Sequence, residues 1–233
     1  RIPALLSPIF GALVLLGLAS DCGHKGTEAE KAHGPAALLS DSARVVFAGR
    51  PLEIPPIPCA SALLVEAESG KVLYEQNAHE RRAPASIAKM TLELVVMREV
   101  EEGRLKLEDS IRVSAWASQI GGSQAYLAEN EVFTLEKMMR AIVIHSANDA
   151  CTAVAEHIAG TTDGFVRLMN QEVELLGLEN THYVNVHGLD DEPGEGNHTT
   201  AADIAQVARE LVRHPHILDW SSTVEEWFRD PGD

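Results

Sequence analysis

A serine and a lysine three residues apart could together carry out nucleophilic chemistry. Ser86 and Lys89 begin an apolar, helix-like stretch that follows Ala83-Pro84-Ala85. Residues three apart share one helix face, so the amine of Lys89 can reach the hydroxyl of Ser86. A serine hydroxyl needs a neighbouring base, and a lysine is a base only when burial or a nearby cation lowers its pKa. The pattern alone also fits a helix cap followed by a solvated lysine.

A second polar motif strengthens the chemical interpretation. Ser146 and Asn148 lie between two runs with helical apolar spacing, residues 134–145 and 150–158, and Ser146 follows Ser86 by 60 positions. One interpretation is a simple helix–helix turn, where Ser and Asn are common. The other places a hydroxyl and an amide in a shared cleft, with Ser146 relaying a proton and Asn148 holding a substrate amide or orienting Lys89. Ser-x-x-Lys followed by Ser-x-Asn is a combination of residues for which a catalytic mechanism can be written.

These motifs and their surroundings resemble those of the low-molecular-mass penicillin-binding proteins, the serine-type D-alanyl-D-alanine carboxypeptidases of bacterial cell-wall metabolism. The resemblance runs from about Pro58 to the end of the chain. Ser-x-x-Lys and Ser-x-Asn also occur in serine β-lactamases, whereas the contexts His-Gly-Leu-Asp and Ser-Ala-Asn-Asp-Ala are more particular to the carboxypeptidases. The similar stretches are Ala85–Met90, Gly121–Leu127, Ile144–Ala150, Val186–Asp190 and Thr199–Ala201.

The resemblance implies an α/β (α+β) fold, with an antiparallel sheet flanked by helices and a mainly helical subdomain, as in β-lactamases and transpeptidases. It implies that Ser86 attacks the bond between two terminal D-alanines of a peptidoglycan muropeptide and that Lys89 accepts its proton. Ser146 would pass that proton to the departing D-alanine, and Asn148 would position the peptide. β-Lactam antibiotics would acylate Ser86 as inhibitors, and no cofactor or metal is required.

One family motif is absent. The family's Lys-Thr-Gly, or Lys-Ser-Gly, is expected after Ser146, but none of the six lysines is followed by either dipeptide. We therefore expect a chain truncated inside its catalytic domain, with C-terminal strands missing. This leaves open a truncated, non-catalytic module that binds muropeptide or penicillin. A class A β-lactamase is disfavoured, because no Glu-x-x-x-Asn pair follows Asn148.

Composition and the N-terminus indicate the compartment and the domain boundaries. A formal net charge of −16 disfavours nucleic acid as a partner, because phosphates would be repelled. Residues 1–20 contain an apolar run too short to span a bilayer and are predicted to be a signal peptide. Residues 21–57 are predicted to be a linker and 58–233 a partial carboxypeptidase domain. We expect export to the periplasm or the outer face of the cytoplasmic membrane, with peripheral membrane association where the family's trailing membrane-anchoring helix is present.

Local patterns predict the elements that position the motifs. Strands are expected at 62–66 and 72–76, a small strand at 183–186, and short β-like pieces near 111–113. The Ser86 helix should run to about residue 102, Asp163 should cap a helix ending near Gly177, and Thr200 should cap the helix before Pro215. Cys151 is expected to be a buried small apolar residue, and His187 to brace a loop.

Overall fold

The computed structural model describes residues 57–189 and 196–229, together with the backbone of strands β1 (Leu13–Leu18), β2 (Arg44–Phe47) and β3 (Arg50–Glu53). The chain divides into two units, residues 1–78 and residues 79–233. Most of the predicted signal peptide lies outside the described residues. The boundaries at 20 and 57 stay predictions, although β2 and β3 fall within the stretch predicted to be a linker.

The first unit is made of antiparallel strands. Strand β4 (Ser61–Glu66) pairs with β1 on one side and with β5 (Val72–Gln76) on the other, and β2 pairs with β3. The turn between β4 and β5 is closed by the Glu66 carboxylate, which accepts a hydrogen bond from the backbone N–H of Ser69 at 2.6 Å. The strands predicted at 62–66 and 72–76 are therefore confirmed.

The second unit is mainly helical and contains all four predicted site residues. The described helices are α1 (Lys89–Glu101), α2 (Leu135–His145), α3 (Asn148–Ala159), α4 (Thr162–Leu175), α5 (Ala201–Leu211) and α6 (Pro215–Ser221). Two short strands, β6 (Ser110–Arg112) and β7 (Val132–Thr134), pair antiparallel. A 3₁₀ turn over Ala85–Ala88 precedes α1, so the predicted serine helix begins as 3₁₀ and becomes α-helical only at the lysine.

Helix α1 lies at the centre of this unit. It packs against α2, α4 and α5, and as a result every residue from Thr91 to Met97 is buried. A helix surrounded in this way has no solvated face in its middle turns. Ser86 and Lys89 are therefore attached to the start of a helix that is buried on all sides in its middle turns.

Threonine side chains start three of the helices. The hydroxyls of Thr134, Thr161 and Thr200 accept backbone N–H bonds at 3.2, 2.9 and 3.0 Å, respectively. This satisfies one of the free donors at each helix start. The predicted cap at Thr200 is confirmed. The predicted cap at Asp163 is wrong, because Thr161 occupies that position.

The predicted strand at 183–186 is also wrong. The side chain of Asn170 accepts from the backbone N–H of Tyr183 at 2.9 Å and donates to its carbonyl at 2.8 Å. A side-chain amide thus takes the place of a neighbouring strand. The nearest β-type contact is a single bridge between His182 and His198.

The prediction of a mixed α/β protein with small antiparallel sheets and helices is confirmed. Among the residues that the structure describes, no helix has both the length and the apolar character needed to cross a bilayer.

Candidate active site

The serine of the first motif lies on a constrained turn. Ser86 is exposed and sits within the 3₁₀ turn that leads into α1. The preceding residue, Ala85, has a φ of 48°, in the left-handed region that non-glycine residues seldom adopt. Backbone strain of this kind persists only where surrounding contacts hold it, and it is common at functional sites.

The lysine of the first motif is buried against that serine. Lys89 is 2% exposed, and its Nζ lies 3.0 Å from the Oγ of Ser86. Nζ also donates to the backbone carbonyl of His187 at 2.9 Å. Burial lowers the pKa of the Lys89 ammonium from its ordinary value, and the neighbouring Cys151 and Glu93 partly oppose that shift. The structure thus supplies what the sequence pattern required, an amine within reach of the hydroxyl and inclined to lose its proton.

A glycine that the sequence analysis did not single out determines how closely the 187–189 loop approaches the serine. Gly188 has a φ of 83°, and a Cβ at this position would lie 1.8 Å from the backbone oxygen of Ala85. Only glycine allows this approach. The His-Gly pair in the sequence was the signal that could have revealed it.

Two asparagines hold the same loop in place. The side-chain oxygen of Asn185 accepts from the backbone N–H groups of His187 and Gly188 at 3.2 and 2.7 Å. The side-chain amide of Asn197 donates to that same oxygen at 2.9 Å. His187 Nδ1 accepts from the N–H of Leu189 at 3.1 Å, which confirms the predicted bracing role of His187.

The second motif forms the turn between α2 and α3. Ser146 ends α2 in the left-handed conformation, with φ 59°, and Asn148 is the first residue of α3 and is 2% exposed. Asn148 donates its side-chain N–H to the carbonyl of Gly121 at 2.8 Å. In the described part of the chain, neither the Oγ of Ser146 nor the Oδ1 of Asn148 has a hydrogen-bond partner, although both atoms are buried.

A loop over residues 121–127 is tied to the start of α3. The backbone N–H of Asn148 donates to the carbonyl of Ser123 at 2.8 Å. The carboxylate of Asp149 accepts from the N–H groups of Ala125 and Leu127, each at 3.0 Å. Asp149 is fully buried. It lies within the motif stretch Ile144–Ala150, but the sequence pattern indicated no role for it.

The structure connects the two motifs through loops. A Cβ at Gly122 would lie 2.5 Å from the Asn148 amide nitrogen and 3.1 Å from Cδ1 of Leu189. The 121–127 loop therefore meets both Asn148 and the 187–189 loop that contacts Lys89. Ser86 and Lys89 are hydrogen-bonded to each other, whereas Ser146 and Asn148 form no hydrogen bond to either of them.

No group of His, Cys, Asp or Glu side chains able to hold a metal ion occurs in the described ranges. Cys151, one turn along α3 from Asn148, is fully buried, as predicted, and burial raises the pKa of its thiol to about 12. Within the described residues, the two motifs thus supply one hydroxyl–amine pair and two buried polar atoms with free hydrogen-bonding capacity.

Comparison with known proteins identifies the family. Residues 50–230 match the family model of D-alanyl-D-alanine carboxypeptidases, peptidase family S11. The chain is 40% identical over 173 residues to the D-alanyl-D-alanine carboxypeptidase DacF of Bacillus subtilis (strain 168), covering 74% of this chain and 44% of that protein. It is 39% identical over 166 residues to DacA of Escherichia coli (strain K12), covering 69% and 40%, respectively.

Solved structures agree with the sequence matches. The crystal structure of the carboxypeptidase DacD from Francisella tularensis superposes with a TM-score of 0.70 at 31% identity, covering 81% of this chain and 44% of that one. Penicillin-binding protein 6B from Escherichia coli gives 0.68 at 32%, covering 72% and 55%. The chain spans less than half the length of the two curated relatives. With a family model matched over most of its length, the chain belongs to the D-alanyl-D-alanine carboxypeptidase family of serine peptidases.

Proposed function

We propose that this chain carries the acylation centre of a serine-type D-alanyl-D-alanine carboxypeptidase that removes the terminal D-alanine of peptidoglycan pentapeptides. The observation that carries the proposal is the 3.0 Å contact between the Lys89 amine and the Ser86 hydroxyl, with the amine buried and the hydroxyl exposed. The buried amine can accept a proton, and the exposed hydroxyl can meet a carbonyl carbon.

The chemical steps follow from that pair. The unprotonated amine of Lys89 takes the proton of Ser86 as the serine oxygen bonds to the carbonyl carbon between the two D-alanines. General-base assistance of this kind typically contributes roughly 10²–10⁴-fold in rate. The C–N bond then breaks, the proton passes to the leaving amine, and D-alanine departs. Water hydrolyses the resulting ester and regenerates the serine.

The free atoms of the second motif support roles for it in the same reaction. A buried polar atom without a hydrogen-bond partner costs about 1–3 kcal/mol of folding free energy. The Oγ of Ser146 and the Oδ1 of Asn148 are two such atoms, and both are available to bind a ligand. The hydroxyl of Ser146 is suited to relay the proton to the departing amine. The free oxygen of Asn148 is suited to accept an N–H of the bound peptide.

The proposed substrate also predicts an inhibitor class. β-Lactams present a strained amide that resembles the D-Ala-D-Ala terminus, so they should acylate Ser86 and remain attached. Labelling of the full chain with a fluorescent penicillin tests the proposal, because the covalent adduct survives denaturing electrophoresis.

Two variants, each with a matched control, test whether penicillin labelling depends on Ser86 and on Lys89. Ser86→Ala should abolish labelling, while Ser222→Ala, at an exposed serine elsewhere, should not change it. Lys89→Arg should also abolish labelling because a guanidinium stays protonated, while Lys71→Arg, at an exposed lysine, should label normally. Persistent labelling of either Ser86→Ala or Lys89→Arg would contradict the proposal.

We further propose that the protein works outside the cytoplasm, in the periplasm or on the outer face of the cytoplasmic membrane. Support comes from the predicted signal peptide over residues 1–20 and from the proposed substrate, which is part of the cell wall. Fractionation of bacterial cells that express the full-length protein, followed by penicillin labelling, would contradict this location if the labelled protein stayed in the cytoplasmic fraction.

A further inference from the structure

A second ionisable side chain shares the buried face of α1 with the lysine. Glu93 follows Lys89 by four residues, so one helical turn separates the two side chains. Glu93 is only 8% exposed, and no hydrogen bond or ion pair of its carboxyl group occurs in the described part of the chain. An ionised carboxylate in such a place is costly, and a buried acid usually remains protonated instead.

Among the described residues, the helices packed against α1 supply no positive charge that would hold Glu93 as an anion. Arg98, farther along α1, pairs instead with Glu172 of α4 at 2.9 Å. The thiol of Cys151, on α3, interacts electrostatically with both members of the pair. The hydroxyl of Tyr183 is hydrogen-bonded to Thr91 at 2.7 Å. Among the described residues, Lys89 is therefore the one cation that acts electrostatically on Glu93.

The remaining charged groups of the packed helices are engaged elsewhere or lie at the surface. On α5, Asp203 accepts a hydrogen bond from the hydroxyl of Thr181 at 2.8 Å. Glu210, also on α5, pairs with Arg213, which lies just beyond the end of that helix. On α2, Arg140 pairs with Glu226. The other ionisable residues of these two helices are Glu136, Lys137, His145 and Arg209, and none of them is buried.

We infer that Glu93 is a positioning residue for the reaction: as a neutral acid it leaves the Lys89 amine uncharged, and as an anion it makes that amine a stronger base. Burial raises the pKa of Glu93 to about 8, and the nearby Lys89 opposes this only in part. The buried setting favours two neutral groups over an ion pair. The inference rests on the proposed role of Lys89 as the base.

The inference predicts how the rate of acylation changes with pH. Below about pH 7 the carboxyl of Glu93 is protonated, and Glu93→Gln, which has nearly the same shape and no charge, should be acylated by a fluorescent penicillin as fast as wild type. Above about pH 8 the wild-type carboxylate increases the basicity of Lys89, so wild type should become faster by about twofold or more. The divergence should have its midpoint near pH 8.

A matched control and a spectroscopic measurement complete the test. Glu172→Gln removes another buried glutamate, one paired with Arg98, and its pH profile should follow wild type throughout. Infrared difference spectra between wild type and Glu93→Gln should show a protonated carboxyl C=O band at pH 7 that disappears with a midpoint near pH 8. This band reports on Glu93 even if Glu93→Gln loses activity.

Three results would overturn the inference. One is coincident pH profiles of wild type and Glu93→Gln over the whole range. Another is an acidic limb displaced to lower pH in Glu93→Gln, which would show that Glu93 is ionised at neutral pH and retains the proton on Lys89. The third is the absence of the infrared band at pH 7. Failure of the proposed function looks different: wild type would not be labelled, or Ser86→Ala would be.

Discussion

The two halves of the candidate site differ in what holds them in place. Ser86 and Lys89 are three residues apart, and their 3.0 Å contact follows from the spacing of one helical turn. In the second motif, Asn148 depends on distant partners, because it is fixed by the carbonyls of Gly121 and Ser123. The Ser86–Lys89 half is thus encoded by local sequence, while the geometry of the Ser146–Asn148 half forms only when several loops have assembled.

Even the local half receives a long-range contribution, since the Lys89 amine donates to the carbonyl of His187 and the glycine after His187 lies against Ala85. Substitutions that act on one half at a time can therefore measure how far the geometry of each half depends on residues that are distant in the chain.

Outside the Ser86–Lys89 pair, the largest effect on the acylation rate is expected from Gly188→Ala. The added Cβ would lie 1.8 Å from the backbone oxygen of Ala85, so the 187–189 loop must move away from the serine turn. Displacements of about 1 Å can cost roughly 100-fold in rate, and we expect at least that loss in penicillin acylation. Gly103→Ala is the matched control, because Gly103 has a similar φ of 74° but open space around it. That control should lose only about 1–2 kcal/mol of stability and keep its acylation rate. Equal acylation by the two variants would show that the serine turn needs no support from the loop.

Stability as a function of pH tests the electrostatic cost of the local half. The pKa of Glu93 is about 8 in the folded chain and 4.5 as its ordinary value, so the folded state binds this proton more tightly than the unfolded state. The contribution of Glu93 to the free energy of unfolding is therefore highest below about pH 4.5. It falls as the pH rises to about 8, by an amount on the order of 5 kcal/mol. Glu93→Gln should lack this loss, and melting temperatures of both proteins between pH 5 and pH 8.5 would reveal it. A constant difference in melting temperature across that range would contradict the prediction.

Asp149→Ala tests the assembled half. It removes the acceptor of the N–H groups of half-buried Ala125 and buried Leu127, and leaving both donors unpaired should cost about 2–5 kcal/mol of unfolding free energy. Urea denaturation measures that loss. Asp163→Ala, at an exposed aspartate of α4, is the control and should change stability by about 0.5 kcal/mol or less. Equal stabilities of the two variants would mean that the 121–127 loop does not depend on Asp149.

Gly122→Ala should disturb Asn148 without touching the serine turn. The new Cβ would lie 2.5 Å from the Asn148 amide nitrogen, so that side chain must shift. We expect acylation to slow by about tenfold through loss of peptide positioning, corresponding to about 1.4 kcal/mol. The pH at which Lys89 titrates in the rate profile should stay unchanged. Gly177→Ala, which has a φ of 67° and open surroundings, controls for backbone strain. A shifted pH profile in Gly122→Ala would show that the two halves are coupled more tightly than the comparison states.

The smallest effect is expected from Thr134→Ala. It removes the hydroxyl that accepts from the N–H of Lys137 at the start of α2, which typically costs about 1 kcal/mol. Because Ser146 lies at the opposite end of α2, the acylation rate should stay the same. A slower rate would indicate that fraying at the start of α2 reaches the second motif.

The elements whose signals are local were predicted well. The strands at 62–66 and 72–76 and the cap at Thr200 are where alternation, turn residues and capping chemistry placed them. The errors arose where a distant side chain competes with the local signal. Asn170 binds the backbone of Tyr183 and replaces a strand partner, and no pattern within residues 183–186 could reveal that.

The spacing of Ser86 and Lys89 in the sequence already implies that they share one turn of a helix, because helical spacing is a property of the backbone. The sequence also indicated that Ser146 and Asn148 would lie together between two helices. Three facts emerge only from the folded chain: Lys89 is buried, a glycine brings the 187–189 loop against Ala85, and the carboxyl group of Glu93 has no hydrogen bond or ion pair within the described residues. Burial and close approach depend on residues about a hundred positions away in the chain, and for that reason the basicity of the lysine could not be read from the motif alone.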